Sequence, residues 1–151
     1  DEILKAAFSM AKKRIGAIIV IERETGLRNF IEEGVRLDAG VDSDLIISIF
    51  LPYGPLHDGA VIVQGGRIRA AGCFLPVSQS RTLPKSYGSR HRAAVGLSEQ
   101  TDAIVVIVSE ETADVALAVD GKVRKGMDQK TLSEEILGLL EKRSKTGKEA
   151  V

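Results

Sequence analysis

The chain has 151 residues, 44% of them apolar, and its 21 basic and 21 acidic residues give a formal net charge of zero. That length fits one domain burying about 68–70% of its unfolded surface, so no disulfide or structural metal is needed to hold a core. The neutral balance argues against nucleic acid as a partner, and the lack of Trp, with only two Tyr and four Phe, argues against a single-strand stacking platform.

Ile3, Leu4, Ala7, Phe8 and Ala11 share one helical face and predict an opening amphipathic helix that ends near Gly16. The β-branched run Ile15 to Ile21 predicts a strand buried on both faces. It is also the longest apolar run and far shorter than the roughly 20 residues of a membrane span, so any membrane anchor is expected upstream of Asp1. Thr25-Gly26 turns the chain, Asn29 to Glu33 forms a short helix stopped by Gly34, and Val35 to Asp38 a short strand. Asp42 or Ser43 caps a helix through Leu45, Ile46, Ile49 and Phe50, which Pro52, Gly54 and Pro55 end.

Ala60 to Gln64 and Arg67 to Cys73 are expected as a hairpin around Gly65-Gly66. Ser78 to Ser89 reads as a loop or lid, followed by a helix from about Arg90 to Glu99 with Ser89 as its N-cap. Ala103 to Val108 is another buried strand, and Val115 to Val119 with Lys122 to Arg124 form a second hairpin around Asp120-Gly121. A last helix is expected from about Leu132 to Lys142. The pattern predicts a single α/β domain over residues 1–142, a mixed sheet of about seven strands covered by about five helices, and a frayed tail over 143–151.

Two polar clusters interrupt this apolar pattern, and each contains one of the chain's two histidines. In the first, His57 and Asp58 at the start of a strand can seat a metal ion, and Gly59-Ala60 keeps the approach to the backbone small. A plain Asp-Gly turn explains the same residues. In the second, Ser89-Arg90-His91-Arg92 puts basic side chains at a helix N-terminus, an unfavourable place unless an anion binds there. An exposed basic patch is the alternative. Ser109-Glu110-Glu111 follows a buried strand, where a hydroxyl can donate to phosphate and a carboxylate can bind Mg²⁺ or Mn²⁺; an acidic turn is the plainer reading. Phe74-Leu75-Pro76 offers an apolar shelf for a purine, although core packing accounts for Phe74 equally well. The lone cysteine, Cys73, is expected as a buried structural thiol. No Walker-type or dinucleotide fingerprint is present.

Taken in order, Asp58-Gly59-Ala60 and Arg90-His91-Arg92 resemble the DGA and RHR motifs of the diadenylate cyclase catalytic domain. The segments Ile15 to Ile21, Pro55 to Ala60, Phe74 to Pro76 and Val108 to Thr112 agree with it, so the resemblance runs from the first helix to about Leu140. It is strongest to the membrane-anchored bacterial type, whose catalytic domain sits at the inner, cytoplasmic face of the cell membrane and can take regulatory protein partners.

The resemblance implies condensation of two ATP into cyclic di-AMP and two pyrophosphates, with a homodimer in which each ribose 3′-hydroxyl attacks the opposite α-phosphate. It assigns catalysis to Asp58, Arg90, His91 and Arg92, and substrate contacts to Gly59, Ala60, Gly72, Phe74, Leu75, Ser89, Ser109 and Glu110. A divalent ion, Mn²⁺ or Mg²⁺, is expected on Asp58, His57 and Glu111. The alternative from another class is an inactive adenine-nucleotide sensor, against which the intact Asp58 and Arg90-His91-Arg92 argue. A metal-dependent phosphohydrolase would need a denser His/Asp ligand set.

Overall fold

The structure, a computed structural model, describes residues 1–149, with side chains described through Glu141. Helix α1 spans Glu2–Lys12, and Asp1 caps it by accepting from the Ile3 N–H. Strand β1 (Ala17–Ile21) follows, then α2 (Arg28–Glu33), β2 (Val35–Gly40) and α3 (Ser43–Phe50). Asp42 is the α3 cap, accepting from the Leu45 N–H. The hairpin of β3 (Ala60–Gln64) and β4 (Arg67–Cys73) leads through an irregular segment into α4 (Ser89–Gln100) and β5 (Ile104–Val108). A second hairpin, β6 (Val115–Val119) and β7 (Lys122–Arg124), precedes α5 (Gln129–Glu149). Helix α5 starts earlier than expected and runs helical past Lys142, where the tail was expected to begin, while Ala150 and Val151 lie outside the described residues.

The strands form one sheet in the order β2-β4-β3-β1-β5-β6-β7. Only β1 and β3 pair in parallel, so the expected mixed sheet of seven strands and five helices is what the described residues form. Alternation along the central strands explains why both faces are apolar. On one face Ala17 and Ile19 of β1, Val61 of β3 and Val106 of β5 pack with α1, α3 and α5 through Leu4, Met10, Phe50, Leu132 and Ile136. On the other, Ile18, Val20, Ile62 and Ile107 pack with α2 and α4 through Ile31, Ala94 and Leu97. Each fully buried aliphatic side chain contributes about 1.5–3 kcal/mol.

Register then decides where function can sit. Ala17 at the start of β1 pairs with Val108 at the end of β5, and Val108 pairs with Val115 at the start of β6. Ala60 at the start of β3 pairs with Cys73 at the end of β4, and Arg124 at the end of β7 pairs with Leu117. The segments before β1, β3 and β6 and after β4, β5 and β7 therefore share one edge of the sheet.

Two glycines fix how that edge is covered. Gly59 has φ +104°, and a Cβ there would lie 2.8 Å from the Gly72 carbonyl carbon, so the chain entering β3 rests on the backbone leaving β4. In α4, Gly96 admits the Pro76 carbonyl so closely that any side chain would collide with it, and the Ser78 N–H donates to the Arg92 carbonyl at 2.9 Å. The segment after β4 is thereby strapped across α4.

The same substitution should act with opposite sign at two helical glycines. Gly96→Ala forces the strap off α4 and is expected to destabilise by about 2–3 kcal/mol. Gly138→Ala in α5 meets nothing within 4 Å, and should stabilise by up to about 1 kcal/mol through helix propensity. Urea unfolding checks both; equal effects would contradict the strap.

Candidate active site

A cavity of about 240 Å³ opens at this edge, lined by Ser86, Gly88 to His91, Val108 to Thr112, and Lys125. Its floor is the end of β5 and one wall is the first turn of α4, whose unpaired N–H groups face outward from the helix. Gly88, not Ser89, is the N-cap of α4, and it makes no side-chain cap bond. Ser89 is instead the first helical residue, so its hydroxyl is not consumed in capping as the sequence suggested. The extended ψ of Gly88 supplies the turn into the helix without a side-chain acceptor.

The second cluster divides by helical position. Arg90 Nη1 donates to Glu110 Oε1 at 3.2 Å, a pair that ties the start of α4 to the end of β5. The Arg90 guanidinium also lies against Gly16, where any Cβ would collide with it. An isolated glycine opening a strand signals such a close approach, and Gly16 was the one cue to this contact in the sequence. His91 is 7% exposed, stacks on Tyr87 with centroids 5.0 Å apart, and its buried Nε2 has no hydrogen-bond partner. Burial first, then the nearby Lys125 and Arg90 charges, holds its pKa below the usual histidine value, against the opposing pull of Asp114 and Glu111. Arg92 stands outside the cavity: its Nε donates to the Tyr87 carbonyl at 3.3 Å, so it positions the segment before α4.

The turn after β5 is held from both sides. Ser109 Oγ accepts from the Thr112 N–H at 3.1 Å, leaving the hydroxyl proton free for a ligand oxygen. The Ser109 N–H donates to the Asp114 carbonyl and the Ala113 N–H to the Ser109 carbonyl, each at 3.0 Å, closing the turn. Arg14, at φ +56° just past α1, donates to the Glu111 carbonyl at 2.7 Å, a support that no sequence signal announced. Glu110 and Glu111 both line the cavity and are exposed.

The first cluster lies two strands away along the same edge, roughly 10 Å by strand spacing. The Asp58 side chain is exposed, with no hydrogen bond or ion pair among the described residues. His57 Nδ1 lies 2.7 Å from the Gly54 carbonyl, which can only accept, so Nδ1 carries a proton and, in the neutral ring, the lone pair is on Nε2. Such a second bond is how metal-ligating imidazoles are usually oriented. Among the described residues no three His, Cys, Asp or Glu side chains converge as a metal cage. The expected trio of His57, Asp58 and Glu111 is therefore not assembled within one chain, because Glu111 belongs to the β5 end and the other two to the β3 end. One carboxylate with one imidazole does fit a Mg²⁺ or Mn²⁺ ion that completes its shell with phosphate oxygens and water.

Five further residues are placed by the fold. Ala60 is fully buried and packs in the core under α4, so its side chain cannot line a ligand floor as expected. Gly59 is kept free of a side chain by the Gly72–Cys73 backbone it rests on, and Gly72 by its left-handed φ of +65°. Phe74 is 62% exposed, which removes core packing as its explanation and leaves an open apolar shelf beside half-buried Leu75. Cys73 is fully buried, and burial with the nearby Glu33 pushes its thiol up to about 11, in keeping with a structural role.

Comparison with known proteins places this geometry. The family described as DisA bacterial checkpoint controller nucleotide-binding matches residues 4–123. The cyclic di-AMP synthase CdaA of Bacillus subtilis is 50% identical over 134 residues, covering 89% of this chain and 49% of that protein. The diadenylate cyclase of Listeria monocytogenes serotype 1/2a is 45% identical over 137 residues, covering 91% of this chain and 50% of that one. The chain thus spans about half the length of these relatives. A crystal structure of a double mutant of DacA from Staphylococcus aureus superposes with a TM-score of 0.89 at 48% identity, covering 92% of this chain and 93% of that one. The match runs from α1 through β7 and takes in both polar clusters, and the chain belongs to the diadenylate cyclase domain family.

Proposed function

We propose that this chain is the catalytic domain of a diadenylate cyclase, which condenses two ATP into cyclic di-AMP and two pyrophosphates. The observation that carries the reading is the shared sheet edge, with the exposed Asp58 carboxylate before β3 and the Arg90–Ser109 cavity at the end of β5. In each half-reaction the ribose 3′-oxygen forms a bond to the α-phosphorus of the other ATP. The bond to the β-phosphate oxygen breaks, pyrophosphate leaves with that electron pair, and the hydroxyl proton passes to base. One chain can present one ATP, so both bonds require two protomers face to face. The gain comes from in-line positioning and from charge placed around the phosphates.

Asp58 and the His57 Nε2 would hold the Mn²⁺ or Mg²⁺ ion, which when bound offsets phosphate charge and acidifies the 3′-hydroxyl. Ser89, Ser109 and the α4 N–H groups donate to phosphate oxygens. Arg90, fixed against Gly16 and Glu110, offers its remaining N–H groups to the same oxygens. Phe74 and Leu75 form the shelf on which adenine rests. The hydrophobic stretch that would anchor the longer protein to the membrane lies outside this chain in the proposal; no helix among the described residues is long and apolar enough to cross a membrane. One relative of known structure, from Bacillus cereus, is described as a hypothetical membrane spanning protein; it is 40% identical with a TM-score of 0.80, covering 83% of this chain and 62% of that one. Regulatory protein partners belong to that longer protein.

Incubation of the purified protein with ATP and Mn²⁺ or Mg²⁺ should give cyclic di-AMP and pyrophosphate on chromatography. ADP with phosphate would instead mean hydrolysis, and bound but unchanged ATP would mean a sensor. Asp58→Asn should lower turnover by at least about 100-fold, the scale of losing a group that assists proton removal from the 3′-hydroxyl, with an unchanged melting temperature. Wild-type-like turnover would remove Asp58 from the chemistry.

Gly16→Ala separates the Arg90 contact from folding. The new methyl meets the end of a flexible side chain, so the fold should hold while the guanidinium is displaced. A roughly 10-fold or greater loss of activity is expected, with thermal stability nearly unchanged, as for loss of one charged hydrogen bond. Retained activity would show that the Arg90 position is not required.

His91 gives the pH prediction. Its folded pKa lies below the ordinary 6.5, so its contribution to stability is present above about pH 6.5 and is lost as pH falls through the folded value. The melting temperature should therefore decline on acidification more in the wild type than in His91→Gln. Parallel declines would contradict a buried neutral imidazole.

A further inference from the structure

Lys125, just past β7, is a cation in the cavity that neither polar cluster contains. Its Nζ stands 4.4 Å from the centroid of the Tyr87 ring, and Tyr87 stacks in turn on His91. Among the described residues Lys125 makes no ion pair, whereas Arg90, the other fully charged cation lining the cavity, is already paired to Glu110. Two cations, Lys125 and Arg90, thus meet at one helix N-terminus with a single direct carboxylate contact between them, and beside them His91 Nε2 is buried without a partner. That arrangement is costly without an anion and favourable with one.

The order of strands gives the anion a direction. Along the edge the sequence is β4-β3-β1-β5-β6-β7, which sets the Phe74–Leu75 shelf and Asp58 at one side, Arg90 over the β1–β5 boundary, and Lys125 at the far side. A nucleotide whose base sits on the shelf, and whose α-phosphate lies between Asp58 and Arg90, extends its outer phosphates toward β7. We propose that Lys125 binds the β- and γ-phosphates of ATP, the pair that departs as pyrophosphate, and so distinguishes substrate from product at this site. This rests on the cyclase reading above and adds to it a residue and a specificity. The cation–π contact with Tyr87 holds the flexible lysine stem toward the cavity before substrate arrives. Tyr87 is itself fixed by the Arg92 bond to its carbonyl.

The test compares a ligand that has the outer phosphates with one that lacks them. Titration calorimetry of wild type, Lys125→Ala and Lys125→Arg would use α,β-methylene-ATP, whose bridging carbon blocks cyclisation, and cyclic di-AMP. Lys125→Ala should bind the triphosphate about 10-fold or more weakly, the scale of one charge-assisted contact. Its affinity for cyclic di-AMP should stay within about twofold, as for a substitution outside the contact. Lys125→Arg should recover most of the triphosphate affinity, and in turnover Lys125→Ala should raise KM for ATP. Equal losses for both ligands would mean a merely structural role, and no loss for either would mean no contact; both overturn the assignment while leaving the cyclase reading intact. A wild type that neither forms nor binds cyclic di-AMP would overturn the cyclase reading itself, and the role given to Lys125 with it.

Discussion

The antiparallel pairing of β1 with β5, from Ala17 opposite Val108 to Ile21 opposite Ile104, is the constraint from which the site follows. It puts Gly16 beside the turn that begins at Ser109, and α4, packed on the face formed by Ile18, Val20 and Ile107, delivers Arg90 between them. A register slip of one residue would turn Ile19 and Val106 from the α1 side to the α4 side and break both cores at once. The apolar cost of such a slip keeps the polar edge aligned, so the geometry of the candidate site is secured by core residues outside it.

Electrostatics at that edge is arranged as an unfinished balance. The Arg90–Glu110 pair locks one cation, Lys125 is steadied by an aromatic face, and His91 is kept neutral by burial and by its cationic neighbours. Asp58 stands apart and exposed. Cationic donors at one end and a hard oxygen donor at the other suit a ligand that is polyanionic along its length and brings its own divalent ion. Glu110 and Glu111 keep the cavity from becoming a simple basic patch, which favours a metal-bound phosphate chain over a bare anion.

Much of this was legible in the sequence because the strongest local signals agreed with the tertiary structure. The β-branched run at Ile15 to Ile21 and the apolar stretch through Val108 became doubly buried strands, and Gly65-Gly66 and Asp120-Gly121 became the two hairpin turns. The errors arose where a residue's reason lies across the fold. Ala60 and Gly59 look like a ligand floor in one dimension, yet one faces the core and the other faces Gly72. Ser89 looked like a cap, but Gly88 took that position and left the hydroxyl in the cavity. Glu111 seemed available to a metal beside Asp58 because sequence order does not show that two strand spacings separate them. Arg14 and Lys125 had no local signature at all, since both act through loops brought together only by the sheet edge.

On the proposed cyclase reading each chain is half of a site: one ATP bound along one edge, with its 3′-hydroxyl and α-phosphate presented outward to a second copy. The rate of cyclic di-AMP formation per protomer, followed over a wide range of protein concentration at saturating ATP, tests this most directly. It should rise with concentration and then level off as pairing saturates. A specific activity that stays flat down to concentrations where sedimentation shows only monomer would contradict it.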